Sequence, residues 1–370
     1  MNMNPVARRE LQERFRTLRS PILLSLWVLA AGIMTFLAYV TARSAAESRL
    51  SGSGLALGSV FAASSMGRFI FQLVLIGLMV AIVFVVPGQA AVTIVGERER
   101  QTLPLLQASQ LSASRIVIGK LLSSLAFVLL LLVATTPLLV IPVLLGGVTI
   151  GNVLAGIGMV MAAAVMLGAV SIWVSARAKS VQGAVLGSYV WTVGLVLGTL
   201  ALIVAEMLLV GTGDLGRTRI ENGIPRDDGR ELYTSWVNPV VGMVDASSDV
   251  LEFKNELVAS PYLPFRAILL KRQGYAASNA ADLYEPDFLS GGAFGGDIFV
   301  EPGFPVNPTT FNASGPVTVD AKRSHVWWRT LIFEAVLTVL ALVAAARLVR
   351  VPRRRIRVVR RRKGSADAIA

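Results

Sequence analysis

Cysteine is absent from this 370-residue sequence, and histidine occurs once, as His325. Without cysteine the chain has no disulfide, no thiolate metal site and no cysteine nucleophile. One histidine excludes metal sites built from several imidazoles and leaves a single candidate base for a serine–histidine pair. Charged residues are also few, at 16% of the chain. The sequence therefore predicts no catalytic residue and no metal site.

A phosphate-binding loop of the form G-x-x-x-x-G-K-[ST] is missing as well. That loop cradles nucleotide phosphates in a large class of ATP-hydrolysing proteins. We therefore expect no cofactor in this chain and do not expect it to be an enzyme. If ATP drives the protein, the nucleotide and its Mg²⁺ are expected on another chain.

Hydrophobic residues, by contrast, make up 54% of the sequence, which is more than a water-soluble domain usually buries. A helix needs about 20 apolar residues to cross the hydrocarbon layer of a membrane. Six segments meet this requirement, which predicts an all-α polytopic membrane protein with six transmembrane helices. The predicted spans are Ile22–Val40, Phe69–Val95, Leu121–Leu145, Val153–Val174, Val181–Val210 and Leu331–Leu348.

The net charge of +12 comes mainly from basic residues close to the ends of these spans. Six spans place both termini on one side, and the short loops of that side hold most of the arginines and lysines. The opposite short loops hold only Arg43, Arg49 and Arg68. The positive-inside rule then makes both termini cytoplasmic. Topology thus explains the basic excess without nucleic-acid binding, and we expect the basic tail to bind anionic lipids.

A long polar insert separates the fifth and sixth spans. It is slightly acidic and rich in glycine, proline, asparagine and aromatic residues, with turn signals such as Asn222-Gly223. We expect it to form a partly ordered extracytoplasmic cap. The predicted organisation is a cytoplasmic amphipathic helix at 1–20, spans one to five at 21–210 with a charged segment at 96–120, the insert at 211–325, the sixth span at 326–349 and the tail at 350–370.

The segment Gly96–Lys120 combines four consecutive charged residues with a short apolar run. Four charges at the bilayer centre would cost about 10 kcal/mol on insertion scales, so they lie in water on the cytoplasmic side. The leucines that follow are too few to span the membrane, and Ser112 is suited to cap the helix that enters the third span. A short helix of this kind is suited to bind a protein partner or the lipid interface. A surface loop without a partner is the alternative.

The pattern E-R-E-x-x-T-L-x-L-L, then L-S, then I-x-x-G-K, resembles the cytoplasmic coupling region of permeases in the type-2 class of ABC exporters. In that family the region docks into a cleft of a separate ATP-hydrolysing subunit. The resemblance implies that Glu97, Arg98 and Glu99 make polar contacts with that subunit or with the N-terminal interfacial helix of the permease, and that Leu103, Leu105 and Leu106 form an apolar plug. We call Gly96–Lys120 the coupling segment. The residues that carry the resemblance are Glu97, Arg98, Glu99, Thr102, Leu103, Leu105, Leu106, Leu111, Ser112, Ile116, Gly119 and Lys120.

The N-terminal segment resembles the interfacial helix of the same family. Leu11 and Phe15 stand four residues apart, with Arg8, Arg9 and further arginines around them. This spacing is typical of an amphipathic helix lying on a membrane surface. A basic flank without helical structure is the alternative.

Glycines recur in the fifth span at steps of four and seven residues. Such steps keep them within about 60° of one helix face, and G-x-x-x-G spacing lets two backbones approach closely. Two interpretations stay open. In the first, the glycines form an interface with a second permease copy or a paralogue, or line the translocation path. In the second, they pack against another span of the same chain. The resemblance favours the first. The glycines are Gly183, Gly187, Gly194 and Gly198.

Two carboxylates, Glu206 and Glu334, lie within apolar spans, both toward the outer end. Carboxylates inside a membrane are functional candidates, and a proton-coupled carrier would use such groups. The alternative is that they reach the outer interface or pair with nearby Arg329. We favour this alternative because neither carboxylate is central in its span.

These observations predict the permease subunit of an ATP-driven exporter, a multi-pass protein of a bacterial cytoplasmic membrane. Its partners would be a cytoplasmic ABC ATPase subunit and a second permease. Two other functions stay open. One is an ion-coupled secondary transporter, and the other is a membrane-anchored envelope protein that works through its external insert.

Overall fold

The computed structural model describes residues 19–50, 57–104, 112–210, 218–221, 224–227, 232–248, 260–262, 265 and 326–350. Several predictions concern residues outside these ranges. They are the interfacial helix with Arg8, Arg9, Leu11 and Phe15, the coupling-segment leucines Leu105, Leu106 and Leu111, and the tail from residue 351 onward.

Six helices of the described chain are long and apolar enough to cross a membrane, which confirms the predicted polytopic α-helical fold. The fifth of these spans is composite, because a π-helical segment interrupts it between two α-helices. The spans are α1 (Arg19–Leu50), α2 (Leu57–Glu99), α3 (Ala113–Leu144), α4 (Ile150–Arg177), then α5 (Val181–Val193), the π segment (Gly194–Gly198) and α6 (Thr199–Val210), and finally α8 (Trp327–Val349).

The helices extend beyond the apolar runs from which the spans were predicted. The longest, α2, has 43 residues, which makes it about 65 Å long. That is about twice the thickness of the hydrocarbon layer. Its last turn therefore lies beyond the apolar run and carries charged residues. We call the end of the bundle that carries Glu97 and Lys120 the coupling end, and the opposite end the insert end.

The core of the bundle lies where α2 packs against α4. Ile70, Leu78 and Ile82 of α2 are fully buried, and they share one cluster with Ala163 and Leu167 of α4. Small residues on α4 allow this close packing. Helix α8 adds its own small residues to the α4 side at the coupling end. Burying these apolar faces against one another holds α2, α4 and α8 together.

The connection from α3 to α4 packs closely on α2 and depends on two glycines. Gly146 has φ +72°, the left-handed conformation that glycine adopts without strain. Its N–H and that of Gly147 bond back to Val143 and Pro142 at 3.0 and 3.2 Å, which ends α3 in a Schellman motif. A Cβ on Gly147 would lie 2.3 Å from the Ser64 carbonyl oxygen of α2, so a larger residue does not fit there.

The insert contributes described structure to the opposite end of the bundle. Strands β1 (Thr218–Glu221) and β2 (Ile224–Asp227) form an antiparallel hairpin, with Glu221 opposite Ile224. A 3₁₀ turn (Tyr233–Trp236) and the short helix α7 (Pro239–Ser247) follow. The hairpin is a small addition to the α-helical fold that the sequence analysis did not specify.

Helix α7 is buried between spans rather than lying on top of them. A Cβ on Gly242 would come within 2.8 Å of Met159 of α4 and 2.7 Å of Thr330 of α8. Ser247, at the end of α7, lies against Gly156 of α4. This part of the insert is therefore an integral layer of the helical bundle.

Candidate coupling site

The coupling end of α2 carries Glu97, Arg98 and Glu99 in its last turn. The helix ends in a Schellman motif, because the N–H groups of Gln101 and Thr102 donate to the carbonyls of Arg98 and Glu97 at 3.2 and 2.9 Å. Gln101 has φ +57°, at a position where glycine is the usual residue. The turn ends α2 sharply while Thr102 stays exposed.

The chain becomes helical again at Leu103 and Pro104, directly after this turn. Leu103 is buried, with 7% of its surface exposed. The apolar part of the coupling segment therefore begins against the bundle. The next predicted plug residues, Leu105 and Leu106, lie outside the described residues.

Glu97 joins α2 to α3 through an ion pair with Lys120. The Lys120 ammonium is 2.7 Å from Glu97 Oε1, and it also donates to the Thr93 carbonyl at 2.9 Å. Lys120 is only 1% exposed, while Glu97 is 21% exposed. A buried ammonium is stable only when it is paired and hydrogen-bonded, so this contact fixes α3 against α2.

Arg98 joins α2 to the end of α4. Its guanidinium donates to the carbonyls of Ala178 and Ala176, each at 2.9 Å. The last carbonyls of a helix have no partner within the helix, and a cation there also interacts favourably with the helix dipole. Because Arg98 is exposed, this contact contributes about 0.3–1 kcal/mol.

Glu99 joins α2 to the beginning of the fifth span. Its carboxylate accepts the N–H of Val181 at 2.8 Å, and the Ser180 hydroxyl accepts the N–H of Gly183 at 3.2 Å. The first N–H groups of α5 are thereby satisfied, and a negative charge is favourable at a helix N-terminus. Glu99 is exposed like Arg98, so one face of each side chain stays open to solvent.

A fourth contact at this end was not found from the sequence. The Ser175 hydroxyl of α4 is fully buried and accepts the N–H groups of Ile94 and Val95 at 3.2 and 3.1 Å. A serine at the end of an apolar run carries no signal of such a contact. Its effect is to bond α4 to α2 one turn before the charged residues.

Three consecutive side chains of α2 thus bind three different helices. The sequence analysis assigned Glu97, Arg98 and Glu99 to polar contacts with an ATPase or with the interfacial helix. The structure shows intrachain contacts for all three, and contact with a partner stays a prediction for their exposed faces. The arrangement is suited to pass a displacement of the coupling segment to α3, α4 and α5 together.

Ser112 occupies the predicted N-cap position of α3. Its backbone is extended, and its carbonyl accepts the N–H of Ile116 at 3.1 Å. Its side chain does not cap the helix, because its hydroxyl pairs instead with that of Ser114 at 3.2 Å. The predicted helix start is correct, but the capping bond expected from serine is not made.

The four glycines of the fifth span differ in how closely other described residues approach the position of a Cβ. Among the described residues, only Gly187 faces another span closely, since a Cβ there would lie 3.1 Å from Val174 of α4. Gly183 would meet only the nearby Ser180 hydroxyl, at 3.2 Å. Gly194 has nothing within 4 Å, and Gly198 only the carbonyl of Val193 at 4.0 Å. Packing within this chain therefore explains one of the four positions.

Glu206 lies on α6 at the insert end. Its carboxylate accepts the N–H groups of Tyr233 and Thr234 at 3.2 and 3.1 Å and the Thr234 hydroxyl. These are the free N–H groups that begin the 3₁₀ turn of the insert. Arg329, which the sequence suggested as a partner for these intramembrane carboxylates, lies over the Trp236 ring at 4.2 Å. Glu206 therefore holds the insert to the fifth span.

Glu334 lies on α8 with 2% of its surface exposed. Neither of its carboxylate oxygens has a hydrogen-bond partner within the described part of the chain. Thr330, one turn earlier on the same face, is also buried with an unpartnered hydroxyl among the described residues. Glu334 is thus buried in the described bundle, and its place relative to the outer interface stays a prediction.

Asp245 of α7 binds the beginning of the sixth span, another contact that sequence reasoning missed. Its carboxylate accepts the N–H groups of Val326 and Trp327 at 2.6 and 2.9 Å, and the side chain is 2% exposed. An acidic side chain from the insert therefore caps α8, whose own preceding residue, Val326, has no capping side chain.

Across the described ranges, no group of three or more histidine, aspartate or glutamate side chains is placed to hold a metal ion. The polar side chains at both ends of the bundle bind backbone groups of neighbouring helices. Such contacts position the helices relative to one another.

Comparison with known proteins agrees with the membrane architecture. No curated protein matches the sequence. The family model described as ABC-2 family transporter protein matches residues 4–283, which include the first five spans and the coupling segment. The chain is therefore a multi-pass permease that belongs to the ABC-2 transporter family.

Proposed function

We propose that this chain is the permease subunit of an ATP-driven exporter that moves its cargo outward across a bacterial cytoplasmic membrane. A separate cytoplasmic ABC ATPase binds ATP and Mg²⁺. Two copies of the permease, or one copy and a paralogue, together form the path. The observation that carries the proposal is the attachment of the coupling end of α2 to α3, α4 and α5.

The coupling segment is the natural site for the ATPase. Its leucines, Leu103, Leu105 and Leu106, supply an apolar plug, and the exposed faces of Arg98 and Glu99 supply polar contacts beside it. A helix with an apolar face that enters a groove is a common mode of peptide recognition. Thr102 and Arg100 are exposed next to the same surface.

Closure of two ATPase subunits around ATP would displace the docked segment. The displacement reaches α2 directly, because the segment follows its last turn. The ion pair with Lys120 and the bonds from Arg98 and Glu99 carry it to the neighbouring spans. Rigid movement of packed helices is an established way to switch a membrane path between two states.

Replacing Leu105 and Leu106 together by aspartate tests the docking. Burying two leucines in a cleft contributes about 3–6 kcal/mol, so we expect the double variant to retain less than a hundredth of the ATPase captured by the unmodified chain. The measurement is co-purification of the tagged permease with the ATPase encoded beside it. The melting temperature of the permease alone should not change, since the substituted side chains act on the partner.

Gln107→Asp is the matched control, because it adds a charge to the same segment without removing an apolar side chain. We expect this variant to capture the ATPase as the unmodified chain does. Retention of the ATPase by the double aspartate variant, with ATP-dependent transport intact, would overturn the proposal.

One observation favours a second function, namely ion-coupled transport through Glu334. Its carboxylate is buried in a span and has no partner among the described residues, which is the usual setting of a carboxylate with a functional role in a membrane. Glu206 is not an equivalent candidate for ion coupling, because its carboxylate binds the insert. Transport that survives deletion of the ATPase but stops in Glu334→Gln would establish this second function.

A further inference from the structure

The π segment of the fifth span leaves the Leu195 carbonyl without the N–H that an α-helix would supply. The N–H of Thr199 donates to Gly194 O, five residues back, rather than to Leu195 O. The Leu195 carbonyl instead accepts the hydroxyl of Thr199 at 2.6 Å. The Val196 carbonyl accepts the side-chain amide of Asn238 at 2.9 Å. Both carbonyls of the π turn therefore accept side-chain hydroxyl or amide donors.

Asn238 belongs to the insert and is fully buried. Its amide nitrogen also donates to the Thr199 hydroxyl at 2.9 Å, which links the two side-chain donors. Its amide oxygen accepts the N–H groups of Val240 and Val241 at 2.8 and 3.1 Å and so caps α7. One side chain therefore begins a helix of the insert and holds a π turn in a membrane span. We call Asn238, Thr199 and the two carbonyls the Asn238 network.

The Leu195 carbonyl has a second possible donor. If the π turn closed to an α turn, the N–H of Thr199 would satisfy it. A Cβ on Gly194 or Gly198, which bound the segment, would meet no other span among the described residues. The π form uses the Thr199 hydroxyl, to which Asn238 donates, whereas the α form needs neither side chain.

Closing the π turn shifts the outer half of the span by one residue, a rotation of about 100°. Ile203, which is fully buried on α6, would leave the core, and an exposed neighbour such as Leu202 would take its place. The rotation would also separate Glu206 from the 3₁₀ turn that it binds. The contacts of Asn238 and Glu206 are therefore made and broken together.

We propose that Asn238 is a positioning residue for transport: it holds the fifth span in its π form, and its release during the cycle lets the outer half rotate. This inference rests on the proposed function, since the fifth span is bound at its other end by Glu99 of the coupling region. A displacement of α2 would thereby reach the span at its coupling end, while the insert binds its outer half. The insert then helps to set the state of the path.

The test uses the absence of native cysteine. A Glu206→Cys, Thr234→Cys pair in the full chain, reconstituted with its ATPase in nanodiscs, reports the contact between α6 and the insert. A short bifunctional thiol reagent should join the pair rapidly without nucleotide. We expect trapping with Mg·ATP and vanadate to slow the reaction at least tenfold. A Gln72→Cys, Ser260→Cys pair, which joins the insert to α2, is the control and should react at an unchanged rate.

Two further variants in the Glu206/Thr234 pair isolate the role of Asn238. Asn238→Ser keeps a side-chain oxygen that caps α7 but loses the amide donor, so cross-linking without nucleotide should slow about tenfold. Deleting Leu197 in that variant removes the extra residue of the π turn. Helix α6 then regains the rotation about its axis that it has in the π form, so that position 206 faces the insert again. The deletion should return the rate to within twofold of the parent pair. If Asn238 were needed only for folding, shortening another helix would not restore the cross-linking rate lost in Asn238→Ser.

The outcomes separate this inference from the proposed function. Failure to capture an ATPase on the same sample refutes the proposed function. A captured complex that hydrolyses ATP, with an unchanged rate at the 206–234 pair, refutes the role of Asn238 alone. Equal slowing of cross-linking in both pairs shows that the insert moves away from the spans as a whole. Failure of the Leu197 deletion to restore the rate in Asn238→Ser shows that the π turn is not involved. Either result overturns the inference.

Discussion

Removing the ammonium of Lys120 should be the most damaging single change at the coupling end. Lys120→Met keeps the aliphatic length of the side chain but deletes two charge-assisted hydrogen bonds, to Glu97 Oε1 at 2.7 Å and to the Thr93 carbonyl at 2.9 Å. Each such bond contributes about 1.5–3 kcal/mol, and breaking a buried pair costs about 3–5 kcal/mol in total. We expect the free energy of unfolding to fall by that amount.

The cost arises because Glu97 keeps its charge after its partner is lost. Its second oxygen, Oε2, is already buried without a partner among the described residues. Glu97→Gln in the Lys120→Met background removes that charge, so we expect most of the stability to return. A double-mutant cycle in detergent, followed by tryptophan fluorescence during unfolding, measures the coupling between the two residues. A loss below 1 kcal/mol for Lys120→Met, or no recovery with Glu97→Gln, would refute the assignment of a buried ion pair.

Four further changes test other contacts, each by the free energy of unfolding. Gln101→Gly should stabilise the chain by about 0.5–1 kcal/mol because it removes the strain of a left-handed backbone conformation at a residue with a side chain. Gly146→Gln should destabilise the chain, because it introduces that strain. An unchanged unfolding midpoint for both variants would contradict the turn assignment. Asp245→Ala should cost about 1–2 kcal/mol by uncapping α8, and equal stability would contradict this role. Glu334→Leu should raise stability by about 1–3 kcal/mol because it removes two buried oxygens that have no hydrogen-bond partner among the described residues, and a loss of stability would imply a partner beyond them.

The spans were predictable because the hydrocarbon layer imposes a minimum apolar length on every crossing helix. The charged ends were less predictable. Helix α2 continues through Glu97 and Glu99, since charged residues at a helix end form bonds that an apolar count does not register. Within the coupling segment, the sequence indicated that these residues matter, but it did not show that they bind their own chain.

The contacts at the insert end could not be predicted from sequence. Asn238 and Thr199 are separated by 39 positions, and Asp245 and Val326 by 81. No spacing rule links residues so far apart, and helical periodicity does not indicate a π turn. Glu206 was noticed because it is a carboxylate in an apolar run, yet its partners are backbone N–H groups, which every residue except proline supplies.

The polar contacts of the fifth span lie at both of its ends and in its inner half. At the coupling end Glu99 satisfies the first N–H of α5, and the Tyr189 hydroxyl donates to the Phe84 carbonyl of α2 at 2.8 Å. Toward the insert end, Asn238 binds the π turn and Glu206 binds the 3₁₀ turn. The inner half is therefore bonded to α2 and the outer half to the insert, and the irregular turn at Gly194–Gly198 joins them. We expect a movement that begins at Glu99 to be taken up as rotation at this turn, and we expect the insert to determine whether that rotation is allowed.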